Sequence, residues 1–120
     1  MPSIPAVVVS VTDGDTCRVI ARPWKGWEVT TAVRIFGLDT PEKGHRSKSK
    51  REAALGEQAT SFAREAFPPG THVRLSGIMD DKYGGRILAS VTRQDGADWA
   101  TLLIDAGLAR PYDGGTKSAW

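Results

Sequence analysis

Five short strands closed into a Greek-key barrel, with two or three short helices, are what this sequence predicts: a mainly β, α+β domain. Three observations carry the expectation. Runs rich in Val, Ile and Thr with period-two alternation recur at five places. Turn-forming Gly, Pro and Asp residues punctuate them, and helical periodicity appears in only two segments. Three strands, a helix, two strands and a helix form an order that a five-stranded barrel of the OB type accommodates.

Taken in order, residues 6–12 form a valine-rich strand, Asp13-Gly14 is a hairpin turn signal, and residues 16–21 resume the ladder. Pro23 and Gly26 mark a loop, and residues 27–36 form the third strand. Trp24 and Trp27 flank that hairpin and are expected to pack rather than to stack on bases. Residues 43–50 are a polar loop. A helix is expected from about Arg51 or Gly56 to Phe67, with Leu55, Ala59, Phe62 and Ala66 as its apolar stripe. Pro68-Pro69-Gly70 stops it. Strands over 71–79 and 86–93 follow, joined by a turn. Asp98 then caps a second helix through Trp99, Leu102, Leu103 and Ala106, with Gly107 ending it. One domain over 1–112 and a Gly-rich tail over 113–120 are expected.

Composition is that of a water-soluble globular chain of 120 residues, 40% hydrophobic and 25% charged. No apolar run approaches the ~20 residues that span a bilayer. The Val7-Val8-Val9 run is too short for a signal-peptide core, so no export signal is expected and the compartment stays open. The single Cys17 lies in a strand pattern and is expected to be a buried hydrophobe. The formal charge of +2 conceals an asymmetry. Five of the 16 basic residues (Lys43, Arg46, Lys48, Lys50 and Arg51) fall in one loop that holds none of the 14 acidic ones. Such a loop attracts polyanions.

The stretch from Val33 to Glu42 adjoins it. Val33 and Ile35 share one face of a strand, which turns Arg34 to the other, and Gly37 and Pro41 put Asp39 and Glu42 on the exit. A guanidinium and two carboxylates in nine residues can grip a phosphate and hold a metal. Arginine offers phosphate oxygens a planar fork and stays charged at any working pH. Like carboxylates ~4 Å apart repel by about 4 kcal/mol at an effective dielectric near 20, which a cation relieves. Phosphate-loop, serine-elbow and zinc-ligand spacings are missing, and His45 and His72 stand alone.

Asp13-Gly14-Asp15-Thr16, the stretch from Arg34 to Glu42, Asp81-Lys82-Tyr83-Gly84-Gly85-Arg86 and Asp105-Ala106-Gly107-Leu108-Ala109 occur in this order. Together they resemble the staphylococcal-nuclease-like (thermonuclease) family over about residues 7–110. The resemblance implies an OB barrel with calcium-dependent phosphodiesterase activity on DNA and RNA, leaving 3′-phosphates. It implies metal-ligand carboxylates at Asp15 and Asp39 and a metal-ligand carbonyl at Thr40. Glu42 would be the general base or orient the attacking water, and Arg34 and Arg86 would hold the scissile phosphate. Lys82 and Tyr83 match positions that contact a neighbouring phosphate. Calcium takes six to eight oxygen ligands, so two carboxylates and a carbonyl leave positions for water and substrate.

Three departures stand out. Gly84-Gly85 adds one residue before Arg86, and the aromatic residues expected after the second helix are out of register, with Tyr112 nearest. The stretch beyond Pro111 is short for the family's further helix. The rival reading is a catalytically weak or inactive OB module that binds nucleic acid. It gives no reason to keep Asp15, Asp39, Glu42, Arg34 and Arg86 together. Neither a membrane nor an obligate protein partner is implied, and a monomer is expected.

Overall fold

The computed structural model describes residues 3–81, 84–112 and Trp120. Five strands close a barrel: β1 (Ile4–Asp13), β2 (Thr16–Ala21), β3 (Val29–Ile35), β5 (His72–Asp80) and β6 (Arg86–Arg93). They follow the order β1-β2-β3-β6-β5, with β1 returning to β5. Every neighbour pair is antiparallel except β3 with β6, and that parallel pair makes the sheet mixed. This is the expected mainly β barrel of OB type.

Two further strands of two residues each, β4 (Leu38–Asp39) and β7 (Arg110–Pro111), pair antiparallel beside the barrel. The helices are α1 (Lys50–Ala66) and α2 (Trp99–Asp105), with a 3₁₀ turn at Gly44–Arg46.

Alternation along the strands sorts the core from the surface. Val19, Val33, Leu75 and Val91 are fully buried inside the barrel, as is Cys17. Burial pushes the Cys17 thiol up to about 12, in keeping with its role as a packing residue. Phe67 and Trp99 close one flank, stacked with ring centroids 4.4 Å apart. The indole Nε1 of Trp99 donates to the carbonyl of Gly14 at 2.9 Å, so the β1–β2 turn is tied to α2.

Helix α1 starts within a residue of the earlier of its two expected starts, and its buried face is broader than the expected stripe. It begins at Lys50, because Ser49 caps it by accepting from the Glu52 backbone N–H at 3.0 Å. Its buried positions are Glu52, Gly56, Ala59, Thr60 and Ala63, while Leu55, Phe62 and Ala66 lie on the flanks. Small residues face inward because the helix approaches backbone. A Cβ at Gly56 would stand 2.6 Å from the carbonyl oxygen of Glu42, and one at Gly14 would stand 2.9 Å from Ala59 Cβ. Contacts that short require glycine at both points.

Strand β3 begins at Val29, two residues later than expected, and leaves Trp24 and Trp27 outside the ladder. They are 60% and 57% exposed, contrary to the packing role expected of them. Physically, both tryptophans lie in the loop beyond the last paired residues of the β1–β2 and β2–β3 ladders, Ala21 and Val29. Of the tail, residues 113–119 lie outside the described residues, and the Trp120 ring sits 3.9 Å from the Arg110 guanidinium.

Candidate active site

One end of the barrel gathers charge. Thr16 pairs with Arg34 across β2 and β3, and Leu88 pairs with Arg34 across β3 and β6. The Ile35 backbone N–H donates to the Asp15 carbonyl at 2.8 Å, fixing the β1–β2 turn against the end of β3. Asp15 therefore stands beside Arg34, with Oδ2 3.7 Å from Nε. A register shift between Val11 and Asp13 kinks the end of β1 just before the turn.

Asp13, Asp15, Thr16, Arg34, Glu42, Arg46, Gly84 and Arg86 line one cleft of about 480 Å³. Four of the residues singled out from sequence thus meet in it: Asp15, Arg34, Glu42 and Arg86. The inserted glycine does not displace Arg86. Gly84 and Gly85 both adopt φ near +68°, a conformation that glycine enters without strain, and so absorb the extra residue in the turn. Strand β6 then starts in register, with Arg86 opposite Ala32 of β3, and Arg86 donates to the buried carboxylate of Asp81.

Asp15 is the most perturbed acid of the cleft. Its carboxyl is raised to about 6, first by burial, then by the hydrogen bond and negative charge of Asp13, against the lowering pull of Arg34 and Thr16. The Asp15 backbone N–H donates to Asp13 Oδ1 at 3.1 Å, and the Thr16 hydroxyl donates to Asp15 Oδ1 at 2.9 Å. A desolvated carboxylate beside a second carboxylate is a hard, anionic oxygen site, and that donor chemistry fits calcium. Among the described residues, no three His, Cys, Asp or Glu side chains converge on one point.

Asp39 and Thr40 are not among the walls of the cleft. Both are buried, Asp39 to 2% exposure. Asp39 faces Arg110 across the β4–β7 pair, and Arg110 Nε donates to its Oδ2 at 2.9 Å. Thr40 packs against the β1–β2 turn: a Cβ on Gly14 would lie 3.2 Å from Thr40 Cγ2. Lys82 and Tyr83 lie outside the described residues.

The structure brings part of the basic loop to the cleft and adds Glu52, which the sequence does not single out. Arg46 reaches both Asp13 Oδ2 (3.6 Å) and Glu42 Oε2 (3.7 Å), so one cation of the basic loop borders the cleft. Lys43 Nζ donates to the Thr12 carbonyl at 2.9 Å. Glu52 accepts from the backbone N–H groups of Glu42 (3.0 Å) and Lys48 (3.1 Å), clamping both ends of the loop that carries Glu42. The Ser49-x-x-Glu52 spacing was the available signal, though Glu52 turns to this loop instead of its own cap. A smaller recess beside Arg34, of about 180 Å³, is walled by Phe36, Leu38, Leu88 and Tyr112. It is apolar where the main cleft is charged.

The family model for staphylococcal nuclease homologues matches residues 32–118. That span includes Arg34, Asp39, Thr40, Glu42 and Arg86 and begins after Asp15. No curated protein matches the chain. With a match over most of its length and the barrel this family model accompanies, the chain belongs to the staphylococcal nuclease homologue family, a family of nucleases.

Proposed function

We propose that the protein is a calcium-dependent nuclease that hydrolyses phosphodiester bonds of DNA and RNA, with residues 1–112 as its nuclease domain. The observation that carries this reading is the shared cleft, where Arg34 and Arg86 stand with Glu42 and Asp15. A phosphodiester is anionic and repels nucleophiles, so cleavage needs cations at its non-bridging oxygens and a base at the attacking water. Arg34 and Arg86 supply the first; both stay charged, and each presents a fork to the phosphate.

Glu42 is half-exposed at the rim and held at its backbone by Glu52, and it would take the proton from the attacking water. Attack of that water on phosphorus breaks the bond to the 5′ oxygen. The products are a 3′-phosphate and, once solvent protonates the leaving oxygen, a 5′-hydroxyl. Asp15, Asp39 and the Thr40 carbonyl would hold calcium, and the bound ion would add positive charge against the phosphate oxygens. The apolar recess of Phe36, Leu88 and Tyr112 gives a neighbouring base a place to lie.

The Arg110–Asp39 contact favours the second reading, a module that binds nucleic acid without cleaving it, since it occupies one proposed ligand oxygen. One assay separates the two. Single-stranded DNA and RNA are incubated with the parent protein and with Glu42→Gln, in calcium or in chelator. The nuclease reading expects cleavage in calcium, none in chelator, and a loss of about 10²–10⁴-fold in Glu42→Gln with binding retained. Binding without cleavage in calcium would establish the module instead.

A further inference from the structure

Far from the cleft, the β2–β3 hairpin ends in a feature that the proposed reaction does not use. Trp24 and Trp27 are more than half exposed, and Val29 beside them is also exposed. Their ring centroids lie 5.3 Å apart with planes tilted by 58°, so the rings touch without covering each other face to face. The presentation is built rather than incidental. The Trp27 backbone N–H donates to the Trp24 carbonyl at 3.1 Å across a four-residue turn, and Gly26 occupies the third position with φ +86°. Arg22 and Glu28 close the base of the turn through a 2.7 Å ion pair. Exposed aromatic surface held this firmly marks a contact surface.

The chemistry of the neighbours selects the occupant. Lys25 is exposed at the apex and makes no ion pair among the described residues. Along β2, Thr16, Arg18 and Ile20 share one face, on which Thr16 is buried at the cleft and Arg18 is exposed between the cleft and the tip. On this face the ribbon runs from Arg34 at the cleft, past Arg18, toward the turn that carries Lys25 and the two indoles. Cations spaced along a strand that ends in aromatic faces suit a single-stranded polynucleotide: phosphates meet the cations and bases stack on the rings. The six residues of β2 alone cover roughly 17 Å of that path, and an OB barrel engages roughly 4–16 nucleotides.

We infer that Trp24 and Trp27, with Lys25 and Arg18, form a second contact for single-stranded DNA or RNA, a stacking platform that holds substrate flanking the cleft. This rests on the nucleic-acid substrate class proposed above.

The test measures binding in chelator, so that nothing is cleaved, of thymidine oligonucleotides of about 4 and about 16 nucleotides. The parent is compared with Trp24→Ala/Trp27→Ala and with Trp24→Phe/Trp27→Phe. The platform predicts that the alanine pair binds the long oligonucleotide about 5- to 100-fold more weakly and the short one unchanged, with affinity largely restored by the phenylalanine pair. Equal binding of the long oligonucleotide by parent and alanine pair would overturn the platform and leave the nucleic-acid reading intact. Failure of the parent to bind either oligonucleotide would overturn the platform, while the nucleic-acid reading itself is decided by cleavage in calcium. Phosphatidylcholine–phosphatidylserine vesicles provide the last arm. Vesicle binding that the alanine pair loses while oligonucleotide binding persists would make the tip a membrane contact and overturn the inference.

Discussion

Asp15 and Asp39 carry the same side chain and the same expected role, yet the fold places them in opposite circumstances. Asp15 lies on a cleft wall, beside another acid, with Arg34 3.7 Å away. Asp39 lies beneath the surface in the β4–β7 pair, with Arg110 donating to it at 2.9 Å. Around the β1–β2 turn, Asp13 and Asp15 crowd together and face Arg46 and Arg34 across looser gaps of 3.6 and 3.7 Å. At the β4–β7 pair, charge is matched by a neighbouring cation inside the fold. The difference teaches that one carboxylate already favours a cation, while the other must share itself between Arg110 and any ion. Substitutions around the first should therefore alter chemistry, and substitutions around the second should alter stability as well.

The largest expected effect tests the cleft. Loss of one donor to a transition-state oxygen costs about 3–4 kcal/mol where it has been measured, so Arg34→Ala should reduce kcat by at least 10²-fold with little change in Tm. Arg86→Ala should match it, since Gly84 and Gly85 keep that arginine on the same cleft. Near-normal turnover in Arg86→Ala would leave Arg86 as a partner of Asp81 alone in function.

Next comes the sealed carboxylate. Arg110→Met removes a charged hydrogen bond to Asp39 and should destabilise the fold by about 2 kcal/mol, read as a shift in urea midpoint. Unchanged stability would show that Asp39 is sustained without Arg110 and would erase the contrast with Asp15. Gly56→Ala joins the two regions through α1. Its methyl would meet the Glu42 carbonyl at 2.6 Å, so the loop must shift, at a cost of about 1–2 kcal/mol and with a fall in kcat. Full activity in this variant would mean that the placement of Glu42 is loose.

The smallest effect has the most telling sign. In metal-free protein, the Asp15 carboxyl sits near 6 against an ordinary value of 3.8. The folded state then holds a proton between these values that the unfolded state has lost, so stability should fall as pH rises from about 4 to 6. Asp15→Asn should flatten that slope and raise Tm by a few degrees at pH 7 in chelator. A lower Tm in the variant would mean that Arg34 outweighs burial and Asp13.

Much of this was legible in the sequence, for identifiable reasons. Alternating Val and Ile runs and the Asp13-Gly14 signal declare the barrel, because strand facing and hairpin geometry are local properties. Arg34, Glu42 and Asp15 were readable because each lies on a strand end or turn next to a motif. The β4–β7 pair was not, since two-residue strands leave no periodicity and Asp39 and Arg110 are 71 residues apart. The stripe of α1 is legible in part: Ala59 is buried and Phe62 and Ala66 pack against the core, but helical periodicity rewards large apolar side chains and passes over Gly56, which close approach to the Glu42 loop demands. The exposure of Trp24 and Trp27 is not legible in the sequence, because composition cannot show where a hairpin outruns its neighbours.

The central claim is that Asp15 and Asp39 join a metal and a phosphate into one site, and thermal unfolding with both ligands tests it most directly. Metal alone should bind weakly, because the protein offers few of the six to eight oxygens that calcium takes, and a phosphate would complete the set. Each ligand then improves the site for the other by the same factor, typically ~1–3 kcal/mol. Calcium together with a nucleoside 3′,5′-bisphosphate should therefore raise Tm by more than the sum of their separate shifts. Asp39→Asn should remove that surplus and stay folded. Additive shifts in the parent protein would contradict the account, leaving a cleft that binds phosphate through Arg34 and Arg86 with no metal beside it.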